Sequence, residues 1–215
     1  KKQKKKLDKN KSLISFVGSP WTLAIYMLGL KINKNEIDLD KLKKKKTELT
    51  IIIENLEKYL CSHIENQVNS GADIVQIFDS WAGLIPNENL YEYCYMPNKR
   101  IVDFCKKKRI PTICFPRGIN QNYLQFADIV KPDCLSLDYE IDPKWAKENL
   151  DDYCLQGGMD PKILFKSEKD IFKEVDRYLE IFRKSFYIFN LGHGLLPETN
   201  PDIVKKIIQR VANFK

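Results

Sequence analysis

Short apolar runs rich in β-branched residues alternate along this chain with longer stretches in which apolar residues recur every three or four positions. The short runs cover residues 13–17, 74–78, 112–115, 134–137, 153–155 and 187–190. They are apolar along their length, as expected of strands covered on both faces. The clearest helical pattern covers residues 47–69, with Ile52, Leu56, Tyr59, Leu60 and Ile64 on one side. Further helices are predicted from about Trp21 and over 88–107, 122–129, 143–148, 168–183 and 201–214. Pro143 and Pro201 stand near two of the starts, where proline is tolerated.

Six consecutive strand–helix units predict an α/β fold with a parallel sheet and helices outside it. An open doubly wound sheet that binds nucleotides carries G-x-G-x-x-G in its first turn; the first turn here reads VGSPWTL. Nearly every strand instead ends in a polar or glycine-bearing cluster. These begin at Gly18, Asp79, Pro116, Asp138, Gln156 and Asn190, and they hold six of the nine glycines. In a parallel sheet such clusters share one rim, and in a (β/α)8 TIM barrel that rim is the catalytic face. A full barrel takes eight units and typically ~250 residues. The expectation is therefore about six consecutive βα units of an N-terminally incomplete barrel over residues 12–215, preceded by a basic, disordered segment at 1–11. The first residue is Lys1 rather than methionine, so a fragment boundary is expected there.

Composition adds little against this. The 215 residues are 43% apolar, which suits a folded core. The net charge of +7 comes largely from lysine runs at 1–11 and 43–46. Such runs are ordinarily solvated or disordered, or attract an anionic ligand. No aromatic residues interleave them, so no stacking platform for nucleic acid is expected. None of the six cysteines is spaced C-x-x-C, which predicts reduced, buried thiols of a cytoplasmic protein and no metal. Residues 12–30 are uncharged and could pass for a targeting or membrane segment, but Gly18-Ser19-Pro20 breaks them in the middle.

Four segments resemble the uroporphyrinogen decarboxylase family, in the family's order and at suitable spacing. SFVGSPWTLAIYM is similar to its F-x-G-[AS]-P-W-T-L-x-x-Y segment, and IFDSWAG to its I-F-[DE]-[ST] strand end. LQGGMDP resembles its L-Q-G-N-[ML]-D-P turn, with Gly158 where asparagine is usual, and FNLGHGLLPETNP resembles its N-L-G-H-G segment. The resemblance runs from about Ser12 to Phe214. It implies stepwise loss of the four acetate carboxylates of uroporphyrinogen as carbon dioxide, giving coproporphyrinogen, without metal or organic cofactor. Carbon dioxide leaves behind an electron pair, and a pyrrole protonated on its ring carbon accepts it. The protein must stabilise that cation and hold a polyanionic macrocycle.

Matched position by position, the resemblance implies substrate contacts at Tyr26, Ser80 and His193, and a pocket lining of Phe16, Gly18 and Phe78. On the residues alone, Tyr26 reads equally as a core aromatic, and Ser80, Asp79 and Asp138 as helix or turn caps. His193 lies in a Gly-His-Gly turn at a strand end, where its flanking glycines let backbone approach a ligand. His63, mid-helix among polar neighbours, is read as outside the site. The family's R-Q-A-G-R arginine motif, and the aspartate that faces the pyrrole nitrogens, have no counterpart in this sequence. No catalytic residue is therefore assigned, and the chain alone is expected to be inactive. The resemblance also implies a homodimer for the intact enzyme. Two other readings stand beside it: a corrinoid-dependent methyltransferase of the same superfamily, which would need a His-x-Cys zinc pair where this chain has His193-Gly194-Leu195, and a non-catalytic fragment or basic binding module.

Overall fold

The computed structural model describes residues 4–33 and 36–214, so the first three positions of the basic segment lie outside the described residues. It divides into two compact units, residues 1–133 and 134–215.

The first unit runs β1 (Ile14–Gly18), α1 (Pro20–Met27), β2 (Lys31–Asn33), β3 (Glu36–Ile37), α2 (Leu39–Lys44), α3 (Lys46–Asn69), β4 (Ile74–Asp79), α4 (Met96–Lys107), β5 (Thr112–Pro116) and α5 (Tyr123–Val130). Strand β4 lies between β1 and β5, parallel to both, with Gly18 opposite Phe78 and Asp79 opposite Pro116. Helix α3 buries Leu49, Ile53, Leu60 and Ile64 along one stripe. Glu57 falls on the same stripe. It is buried because Arg100 of α4 donates Nε and one terminal nitrogen to its two oxygens, both at 2.6 Å.

The second unit runs β6 (Cys134–Leu137), α6 (Pro143–Leu150), β7 (Cys154–Gly157), α7 (Glu168–Ile181), β8 (Tyr187–Ile188) and α8 (Pro201–Ala212). Its strands pair in parallel in the order β6-β7-β8. One device starts helices in both units. A Ser, Asp or Asn stands immediately before a proline, as in Ser19-Pro20, Asp142-Pro143 and Asn200-Pro201, and its side-chain oxygen accepts a backbone N–H of the first turn. The proline fills the first helical position, whose missing donor costs nothing there.

Six parallel strands, three in each unit, each followed by helix, are the α/β architecture that the pattern predicts. Differences are local. β8 is two residues long; residues 189–190 are irregular and Leu191 pairs again with Met159. The helix expected over 88–107 is three pieces: a short 3-10 turn (Asn87–Asn89), a π-turn (Tyr91–Tyr95) and α4. Residues 43–46 are largely helical, with Lys43 and Lys44 in the last turn of α2, where ammonium groups complement the helix carbonyl end. Within the segment 12–30, β1 and α1 are separated by Ser19, and no described helix is long and apolar enough to cross a membrane.

Candidate functional site

In the first unit the ends of β1 and β4 are tied together by a buried carboxylate. Asp79, 1% exposed, is the last residue of β4. Its Oδ1 accepts the Thr22 hydroxyl of α1 at 2.9 Å, and its Oδ2 accepts the Asn98 amide of α4 at 3.0 Å. Ser19, which caps α1, donates a third hydrogen bond. The Cys94 thiol donates a fourth. Burial raises the Asp79 carboxyl above its ordinary value, against the four donors that lower it. Asp79 is thus an internal tie between one strand and two helices, in keeping with the structural reading of that residue.

Above this tie the side chains turn outward. Tyr26 is 58% exposed, which removes the core-aromatic reading. Its hydroxyl accepts the Trp81 indole N–H at 2.7 Å, so its own proton remains available to a ligand. The two rings meet edge to face at 6.2 Å, and the Lys31 ammonium lies 3.2 Å from the centre of the Trp81 ring. Ser80 is half-buried between Asp79 and Trp81. It caps no helix, because the following turn has Trp81 at its cap position and no side-chain cap bond. Phe16, 66% exposed, meets Phe78 edge to face at 5.9 Å, and Phe78 meets Phe115 the same way. Gly18 ends β1, where an added Cβ would come within 3.1 Å of the Leu23 side chain. The first unit therefore places Gly18, Phe78 and Ser80 at the ends of two adjacent strands, with Phe16 in the middle of β1 and Tyr26 in the last turn of α1 reaching Trp81. Trp81 and Lys31 join them and were not singled out from sequence. Trp81 stood in a strand-end cluster already noted; Lys31 had no such signal.

In the second unit the strand ends are made of backbone. Gly157 and Gly158 both hold positive φ, +81° and +98°. Their carbonyls accept the hydroxyls of Tyr187 at 2.6 Å and Tyr178 at 2.8 Å. Burial raises both phenols, Tyr187 and Tyr178, above their ordinary range. Gly192 lies against the chain at Asp138-Tyr139, where a Cβ would come within 2.8 Å of the Asp138 carbonyl carbon. The contact holds the next residue, His193, exposed and edge-on to Tyr139 at 6.5 Å between ring centres. The Asp138 carboxylate accepts the Glu140 N–H at 2.9 Å, a local turn cap. His63, on α3, is exposed beside Gln67. A cavity of about 460 Å³ also opens in this unit, lined by Phe189, Leu191 and Leu195 and by Val204, Ile207 and Ile208 of α8. Asn190 is its one polar lining residue, so it does not suit a polyanion.

Comparison with known proteins agrees with the motifs. A family model described as uroporphyrinogen decarboxylase (URO-D) matches residues 1–214. A protein named uroporphyrinogen decarboxylase from Orientia tsutsugamushi (strain Boryong) is 37% identical over 98% of this chain and 63% of its own length. The protein of that name from Cereibacter sphaeroides (strain ATCC 17025 / ATH 2.4.3) is 32% identical over 96% of this chain and 62% of its own. The chain thus spans rather less than two thirds of these relatives. Among solved structures, a methyltransferase from Methanosarcina mazei superposes with a TM-score of 0.74 at 20% identity, covering 98% of this chain and 61% of that one. At that identity the likeness concerns the fold alone.

Proposed function

Because the chain belongs to the uroporphyrinogen decarboxylase family over residues 1–214, we propose that it supplies the substrate-holding part of an enzyme that removes the four acetate carboxylates of uroporphyrinogen as carbon dioxide, yielding coproporphyrinogen. The observation that supports this reading is the rim of the first unit. Tyr26, in the last turn of α1, keeps a phenolic proton beside Trp81, the Ser80 hydroxyl follows the end of β4, and the adjacent β1 carries the exposed ring of Phe16. Hydroxyls that donate to carboxylates next to an aromatic surface suit a flat macrocycle ringed by acid groups. By the family resemblance His193 is a donor to carboxylate; within the second unit it is exposed next to the Gly192 contact. Gly18 and Phe78 complete the lining. The intact enzyme works as a cytoplasmic homodimer and needs neither metal nor organic cofactor.

The sequence holds no R-Q-A-G-R motif to grip the remaining carboxylates and no assigned aspartate to balance the pyrrole cation. Asp79 does not replace that aspartate, since its two oxygens are already committed to Thr22 and Asn98. The 215-residue polypeptide is therefore a binder without turnover. The test is a titration with uroporphyrin, the oxidised and stable form of the substrate, beside an anaerobic decarboxylation assay. Saturable binding with no product is expected. Absence of saturable binding, or coproporphyrinogen formed by this polypeptide alone, overturns the reading.

A further inference from the structure

Cys134 opens β6 and Cys154 opens β7, and the two are register partners on adjacent parallel strands. Neighbouring strands lie about 4.8 Å apart, within the roughly 4.4–6.8 Å Cα separation that a disulfide spans. Register partners also point to the same face, which the next pair along that face demonstrates: the Gln156 amide donates to the Ser136 hydroxyl across the same two strands at 3.2 Å. The Cys134 thiol approaches the Leu135 carbonyl at 4.0 Å, and its nearness to Cys154 lowers the Cys154 thiol. Cys134 is buried and Cys154 half-buried, so one sulfur is reachable and the other stands behind it. Both lie at the opposite end of their strands from the Gly157-Gly158 turn. The decarboxylation chemistry has no use for them.

We propose that Cys134 and Cys154 form a thiol pair that small disulfides oxidise to an intrachain disulfide. Cys154 thiolate attacks one sulfur of a disulfide such as oxidised glutathione, forming a mixed disulfide and releasing one glutathione thiolate. Cys134 then gives up its proton and attacks the Cys154 sulfur, releasing the second glutathione. The protein loses two hydrogens and one glutathione disulfide becomes two thiols.

The other cysteines make internal controls. Burial raises the thiols of Cys61, Cys94, Cys105 and Cys114, whereas the nearness of Cys134 lowers Cys154 to about 7 against its own partial burial. Thiolate is the attacking species, so Cys154 reacts faster than those four. Two parallel partners need a small closing movement to reach disulfide geometry, and a strained bond is more readily reduced.

The experiment exposes the folded 215-residue chain to oxidised glutathione, quenches with an alkylating maleimide and maps peptides by mass spectrometry. A Cys134–Cys154 cross-linked peptide, two hydrogens lighter than the reduced pair and reversed by dithiothreitol, is the expected result. Cys134→Ser stops the reaction at the Cys154 glutathione adduct. A stable glutathione adduct on Cys154 in the unsubstituted chain, or preferential reaction at Cys61, overturns the proposal. The map of the unsubstituted chain decides the matter even if the variant fails to fold.

Discussion

Replacing Asp79 tests whether the strand ends are held by that carboxylate. In Asp79→Ala, four buried donors lose their acceptor: the Thr22 hydroxyl at 2.9 Å, the Asn98 amide at 3.0 Å, the Ser19 hydroxyl and the weakly donating Cys94 thiol. Leaving a buried donor unsatisfied costs about 1–3 kcal/mol, and the groups can partly re-pair with one another, so a total of about 3–5 kcal/mol is expected. Asp79→Asn keeps the shape and one acceptor oxygen but turns its amide toward Asn98, so about 1–3 kcal/mol is expected. The two variants also differ from the parent in pH dependence. The folded carboxyl sits above its unfolded value because burial outweighs its donors. The native state therefore binds the proton more tightly, and this contribution to stability is present below the unfolded value and lost as pH rises through the folded one. The amide introduced by Asp79→Asn does not titrate, so the stability difference between parent and Asp79→Asn narrows as pH rises through that window. Urea unfolding followed by far-ultraviolet circular dichroism at several pH values gives both quantities. A loss below about 1 kcal/mol in Asp79→Ala, or a difference from Asp79→Asn that widens with rising pH, refutes the argument.

Other perturbations separate holding from presenting. Gly192→Ala pushes a methyl group onto the Asp138-Tyr139 backbone and displaces His193; it should cost about 1–3 kcal/mol in urea and abolish tight uroporphyrin binding while unfolding stays cooperative. Tyr26→Phe removes an exposed hydroxyl, so stability should fall by less than about 1 kcal/mol while uroporphyrin affinity falls about tenfold, as for one hydrogen bond to a charged group. Arg100→Ala strips the buried Glu57 of its partner; because Arg100 is half-exposed, a cost of about 1–2 kcal/mol is expected, measurable by urea titration and partly restored by Glu57→Gln.

The strand–helix alternation was legible because both periods are strong. Runs such as Ile113-Cys114-Phe115 are buried throughout; on α3 Leu60 and Ile64 are buried as read, but the stripe continues through Ile53 and Leu49 rather than Leu56 and Ile52, and Tyr59 is exposed. What escaped was short or non-local. The β2–β3 hairpin pairs strands of three and two residues of mixed polarity, with no alternation to detect. The π-turn before α4 changes hydrogen bonding without changing the apolar pattern. The ordered motifs singled out Tyr26, Ser80 and His193; Ser80 follows the end of β4, His193 lies in an exposed turn, and Tyr26 stands in the last turn of α1 rather than near its start. Lys31 reaches Trp81 from a hairpin fifty residues away in sequence, and the Cys134–Cys154 pairing depends on register, which spacing does not encode.

The tryptophans give the first unit a property of another kind. Trp21 is fully buried, stacked on Tyr93 at an interplanar angle of 8°, with its N–H held by the Trp81 carbonyl. Trp145, in the second unit, is half-buried on α6. Trp81 alone combines a Tyr26 hydroxyl at its N–H with an ammonium group over its ring. Indole emission follows the charge and hydrogen bonding around the ring, so these are three unequal emitters. Lys31 and Tyr26 are the groups that set the colour of Trp81, so a change in their surroundings is visible in the protein's own light.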